Sequence, residues 1–89
     1  MADTVLIVDD SLTVRMDLAD AFEHAGFSVV LASSVVEARR ELVQGDVAIV
    51  ILDVVLPDED GIELLREIRE KGGDEMPFVL LLSTEADVH

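Results

Sequence analysis

Hydrophobic positions along the chain fall into short unbroken runs, separated by stretches where they recur with helical spacing. Val5-Leu6-Ile7-Val8 is one such run, the pattern of a strand covered on both faces. Behind it, Val14, Leu18, Ala21, Phe22 and Ala25 recur at i, i+4, i+7, i+8 and i+11. That spacing predicts one apolar helix face, with Ser11 placed to cap its start and Gly26 its end. Phe27 to Ala32 reads as a second strand. Ser34-Val35-Val36-Glu37 has capping-box spacing and opens a second helix, which Gly45 ends.

Val47-Ala48-Ile49-Val50-Ile51-Leu52 is the longest apolar run and the best candidate for a central strand, with Asp53 at its end. A loop containing Pro57 and Gly61 leads into a third helix with Ile62, Leu65 and Ile68 on one face. Glu67 and Lys71 sit at i,i+4 on its outer side, in the favourable order. Gly72-Gly73 breaks that helix. Phe78-Val79-Leu80-Leu81-Leu82 is a fourth strand, and Ser83-Thr84-Glu85 begins a further helix. The order is β-α-β-α-β-α-β. Connections of this length between buried strands imply right-handed crossovers, a parallel sheet and helices on both faces. One α/β domain is expected over residues 1–89.

Composition narrows the function. Twenty Asp and Glu against six Lys and Arg give a formal net charge of −14. Such a surface lacks the basic side chains that release counterions from a phosphate backbone, so direct nucleic-acid contact is not expected, nor is docking on anionic lipid. At 51% hydrophobic residues the chain has the material for a core, unlike a disordered acidic tail. The absence of cysteine excludes disulfides, thiolate zinc sites and cysteine nucleophiles. No apolar run is long enough to span a bilayer, and Met1-Ala2-Asp3-Thr4 has no basic leader region. A cytoplasmic setting is the expectation. Five of the six basic residues are Arg, and Lys71 is the lone lysine. An acidic domain balanced by neighbouring segments accounts for that more simply than adaptation to high salt.

In a sheet of this type, ligands bind beyond the carboxyl ends of the strands, where strand order reverses. The first strand ends in Asp9-Asp10, the third at Asp53, and the fourth at Ser83-Thr84. Three carboxylates and two hydroxyls converge on one rim if strands one and three are neighbours. Carboxylates that close need a cation or protons to coexist, and oxygen ligands alone select a hard ion such as Mg²⁺. Each acid taken singly is more simply a turn former or helix cap; the three together on one edge are not. His24 is expected at the surface, in favourable contact with a helix C-terminus. Lys71 is not preceded by a phosphate-binding glycine loop, and no G-x-G-x-x-G follows a strand. Asp9-Asp10-Ser11 also lacks the Asp-x-Asp of haloacid-dehalogenase-type phosphatases.

Val5-Leu6-Ile7-Val8-Asp9-Asp10-Ser11, Ile51-Leu52-Asp53-Val54-Val55-Leu56-Pro57 through Asp60-Gly61, and Leu82-Ser83-Thr84 together resemble the receiver domain of bacterial response regulators. The resemblance runs over the whole chain with its spacing intact. It implies a doubly wound, flavodoxin-like and CheY-like three-layer fold, with the first four strands in the order 2-1-3-4. It further implies that Asp53 is the phosphoacceptor, that Asp10 binds Mg²⁺ (or Mn²⁺) directly, and that Asp9 does so through water. Asp53 and the backbone carbonyl of Val55 would complete the protein's share of the metal. Ser83 would supply a hydroxyl, and Thr84 its backbone N–H, to the phosphoryl oxygens. The implied partners are a histidine kinase or phosphotransfer protein and a downstream effector domain or protein. The implied activity is that of a self-phosphorylating switch, not a turnover enzyme. A pseudo-receiver, acting as a phosphorylation-independent interaction module, is the alternative.

Two departures from the family pattern stand out. Glu59 replaces the usual apolar residue and makes positions 58–60 fully acidic. The family's fifth strand, its lysine, its switch aromatic and its last helix would all lie beyond His89. The domain is therefore expected to be incomplete at its C-terminal end. On that expectation the fourth strand is an uncharged apolar edge, open to pairing with a second chain.

Overall fold

The computed structural model describes residues 3–53, 61–72 and 76–82. Four strands, β1 (Thr4–Val8), β2 (Ser28–Ala32), β3 (Ile49–Asp53) and β4 (Phe78–Leu82), alternate with α1 (Leu12–His24), α2 (Val35–Gln44) and α3 (Gly61–Gly72). All three strand pairings are parallel and the order is β2-β1-β3-β4. The parallel sheet is the one the alternating pattern implies, and its strand order is the one the resemblance implies.

β1 and β3 occupy the middle, and their side chains from Val5 to Val8 and from Val50 to Asp53 are buried. Alternation along each strand divides the apolar residues between two cores. Val5, Ile7 and Ile51 pack with Leu18, Ala19 and Phe22 of α1. Leu6, Val8, Val50 and Leu52 pack with Val35 and Ala38 of α2 and with Leu64 and Ile68 of α3. One helix therefore covers one face and two cover the other.

The helix ends follow local chemistry. Ser11 Oγ accepts the Val14 N–H at 3.3 Å. At the other end of α1, Gly26 adopts φ +98 with no heavy atom within 4 Å of a Cβ placed there. A side chain at that position has room, and the cost of adding one is the left-handed backbone. The Phe27 N–H is used on the Phe22 carbonyl, at 3.0 Å, and its ring meets Phe22 edge to face. For that reason β2 begins at Ser28 and not at Phe27. His24 lies exposed in the last turn of α1 with Nδ1 2.8 Å from the Asp20 carbonyl, as its position in sequence suggests.

Several expectations need correction. In α3 the buried residues are Leu64 (1% exposed) and Ile68, whereas Ile62 is 50% exposed. Leu65 is partly buried against the same core. In α1, Ala21 and Ala25 face solvent, and Ala19 is buried in their place. Glu67 engages Arg39 of α2 through two hydrogen bonds of 2.8 and 2.9 Å, so its dominant contact is tertiary and not the i,i+4 pair with Lys71. At α2, Ser34 Oγ caps the Glu37 N–H, but Glu37 Oε1 returns to the N–H and hydroxyl of Ser33, one residue further back than a capping box requires. β4, by contrast, is the apolar edge strand expected of it: it ends the sheet, Phe78 is 64% exposed, and Leu80 and Leu81 also face solvent.

Candidate functional site

The carboxyl ends of β1 and β3 build the site. Val8 stands opposite Leu52, so the next position on each of the two neighbouring chain segments is an aspartate, Asp9 and Asp53. Both are buried, at 2% and 1% exposure. Asp10 follows in the turn and is exposed. One carboxylate oxygen from each of Asp9, Asp10 and Asp53 lies within 4.8 Å of the others. The condition set by the sequence is met, since strands one and three are neighbours and their acids converge.

Asp9 is held at several points. Its N–H donates to the Ala32 carbonyl of β2 at 3.1 Å. Its Oδ1 accepts the Ser11 N–H at 2.8 Å, and its carbonyl accepts Arg15 Nη1 at 2.7 Å. Oδ2 is buried and has no hydrogen-bond partner. Burial raises the Asp9 pKa above the ordinary 3.8, with the Asp53 and Asp10 charges adding to the rise and the Ser11 N–H opposing it. A buried, unpartnered carboxylate oxygen beside two further carboxylates suits a small hard cation, and only oxygen donors are offered. The N-terminus of α1, with no acidic residue in its first turn, adds a partial positive charge at the same rim.

Arg15 is a functional candidate that the sequence pattern does not single out. A lone arginine near the start of an amphipathic helix reads as a surface charge. The only available signal is its place four residues after Ser11, close enough to fold back over the turn. Val55, Ser83 and Thr84, with Pro57, lie outside the described residues. A separate cleft of about 820 Å³ opens at the other end of the sheet, lined by residues that include Asp3, Arg39, Leu42, Ala48, Ile68 and Lys71. Its lining acids, Asp3, Asp46 and Glu67, form no metal-holding group among the described residues, unlike the three acids of the rim.

A parallel 2-1-3-4 sheet with three acids at the ends of its two central strands defines a small α/β domain with an acidic cluster that could hold a metal ion. The comparisons with known proteins agree. The chain belongs to the response regulator receiver domain family, whose match covers residues 5–89. It is 35% identical over 82 residues to the response regulator MprA of Mycobacterium sp. (strain KMS), covering 92% of this chain and 35% of that protein. The chain thus spans about a third of the length of the curated relatives it matches.

Among solved structures, the chemotaxis response regulator CheY4 of Vibrio cholerae superposes with a TM-score of 0.86 at 28% identity. That match covers 98% of this chain and 72% of CheY4. The response regulator TrrA of Thermotoga maritima, solved in complex with Mg²⁺–BeF, gives 0.84 at 30% identity over 94% of this chain and 71% of that one. TrrA has also been solved in complex with the histidine kinase ThkA, where it gives a TM-score of 0.83 at 29% identity over 96% and 72% of the two chains. Receiver domains of two-component systems are signalling switches, and this chain is one by family. Among the described residues no helix is long and apolar enough to cross a membrane.

Proposed function

We propose that residues 1–89 form the phosphoacceptor part of a two-component receiver, with Asp53 taking the phosphoryl group from a histidine kinase or phosphotransfer protein. The observation that carries this reading is the convergence of Asp9, Asp10 and Asp53 at the ends of adjacent strands, with one buried oxygen of Asp9 left without a partner. In the proposed step an Asp53 carboxylate oxygen attacks phosphorus and forms a P–O bond. The P–N bond to the donor imidazole breaks, and its electron pair leaves with the imidazole, which is then protonated. With an acyl phosphate as donor, the P–O bond breaks and a carboxylate departs.

Asp10 and Asp53 would hold Mg²⁺ or Mn²⁺ directly and Asp9 through water, with the Val55 carbonyl as a further ligand. Bound there, the cation supplies neutralising charge and alignment to the phosphoryl oxygens, which is most of what phosphoryl transfer asks of a protein. Ser83 and Thr84 donate a hydroxyl and an N–H to the same oxygens. The TrrA complexes, with Mg²⁺–BeF and with a histidine kinase, support both the metal and the partner. The modified domain passes the signal to an effector domain or protein, in the cytoplasm, without touching nucleic acid itself.

The test is incubation of the chain with Mg²⁺ and acetyl phosphate or phosphoramidate, followed by intact mass. A single phosphoryl adduct that is lost in Asp53→Asn is expected. An adduct that persists in Asp53→Asn overturns the assignment. No adduct from a folded, cation-binding chain turns the reading to a phosphorylation-independent interaction module.

A further inference from the structure

Arg15 belongs to α1 by sequence, but its guanidinium is spent on the end of β1. Its own N–H makes the ordinary helix bond to the Ser11 carbonyl, 3.0 Å away. Its side chain turns back past Ser11 and donates from Nη1 to the carbonyl of Asp9 at 2.7 Å, in a partly buried setting. The segment from Asp9 to Arg15 is therefore closed twice, once by the helix backbone and once by the side chain. A charged donor on a carbonyl at this length is a strong contact. It also falls where support is most needed. Asp9 lies one residue beyond the last residue of β1, its N–H still bonded to the Ala32 carbonyl, and it stands among carboxylates that repel one another.

We propose that Arg15 is a positioning residue for the divalent cation. By fixing the Asp9 carbonyl it holds Asp9 and Asp10 facing Asp53. This rests on the reading of the acidic rim as a cation site. Asp9 is then held through its N–H by β2, through its carbonyl by Arg15 and through Oδ1 by Ser11, which leaves the buried Oδ2 without a hydrogen-bond partner. Arg15 acts through Asp9 and not on the phosphoryl group, because Nη1 is committed to the Asp9 carbonyl.

The experiment titrates the full chain with Mn²⁺ alone, at moderate salt, following free Mn²⁺ by electron paramagnetic resonance and subtracting the binding retained by Asp10→Ala. Partners that orient metal ligands typically contribute about 10–100-fold in affinity. Arg15→Met is expected to weaken Mn²⁺ about tenfold or more. Arg15→Lys, which keeps a charged donor, should return most of that loss, and Thr13→Ala on the exposed side of α1 should change nothing. If Arg15→Met does not fold, Arg15→Gln takes its place with the same expected loss. Phosphorylation by acetyl phosphate should show a raised Mg²⁺ requirement with the rate at saturating Mg²⁺ preserved. A merely structural role would lower the melting temperature and leave the affinity of the folded chain unchanged. Wild-type Mn²⁺ affinity in a folded Arg15→Met or Arg15→Gln variant overturns the proposal, as does a loss of rate that saturating Mg²⁺ does not repair. A wild-type chain that binds no Mn²⁺ overturns the reading of the rim itself, which is a different result.

Discussion

Two carboxylates at opposite ends of the sheet meet opposite fates. Glu67, on the seam between α2 and α3, receives two hydrogen bonds from Arg39, which hold its pKa below the ordinary 4.5. Asp9, on the rim, is buried beside two other acids, and its pKa is pushed up. The seam carboxylate is matched by the protein's own cation and works for the fold. The rim carboxylate is left under-matched, which is how a protein reserves a place for a cation it does not itself contain. Local frustration at one end and satisfaction at the other set the rim apart from the seam of one small sheet.

The comparison breaks most visibly at Asp10. Its exposed carboxylate should provide the largest share of cation binding, so Asp10→Ala is expected to weaken Mn²⁺ by more than about 100-fold, beyond the loss given by residues that only orient ligands. Calorimetric titration showing unchanged affinity would move the site elsewhere.

The next effect concerns stability and has the less familiar sign. Because the folded pKa of Asp9 is raised, its favourable state is the protonated one, and stability is lost as pH rises through that folded value. In chelator at pH 7, Asp9→Asn should therefore be more stable than wild type, by about 1–2 kcal/mol as its amide donates to a neighbouring carboxylate. The gain should vanish below pH 3.8, where both forms are neutral, and should shrink when Mg²⁺ is added to the wild type. Thermal melting across pH with no such gain would remove the frustration argued for the rim.

The smallest effect is at the seam. Glu67 contributes above its ordinary 4.5, and the contribution is lost as pH falls through the lowered value. Arg39→Ala should cost only a few degrees of melting temperature at low salt, and less at high salt, where the Debye length is about 3 Å at 1 M. A large, salt-insensitive loss would mean that the seam and not the rim dominates the energetics.

The central part of the fold was legible in its apolar pattern. Unbroken apolar runs at β1 and β3 are buried on both faces at the centre of the sheet, whereas the equally apolar β4 at the edge is not, and Asp9 and Asp53 close the central runs. Elsewhere the pattern admits more than one solution. Ile62 and Leu64 are both apolar residues near the start of α3, and periodicity alone does not say which turns inward; packing against Val35 and Ala38 selects Leu64. Burying a Leu side chain fully is worth about 1.5–3 kcal/mol, enough to set the rotation of a short helix. Glu67 has Lys71 one turn away and Arg39 on another helix, and the planar guanidinium wins through two parallel bonds. The role of Arg15 is invisible for a related reason. What it binds is a backbone carbonyl, and backbone carbonyls leave no mark in a sequence.

The strand order carries a consequence for how the domain assembles. β1 pairs with β3 across an entire intervening α-β-α segment, so Asp9 and Asp53 are strangers until that non-local pairing forms. Pairings that skip over neighbours are the slow steps of folding, since the loop must be closed before any contact rewards it. The cation site is consequently a late product of folding and is absent from any partly collapsed chain. A nascent chain emerging from the ribosome has no cation-binding rim until β3 has been made and threaded beside β1. Ions that bind there recognise only the finished sheet, and by mass action they draw the final equilibrium toward it.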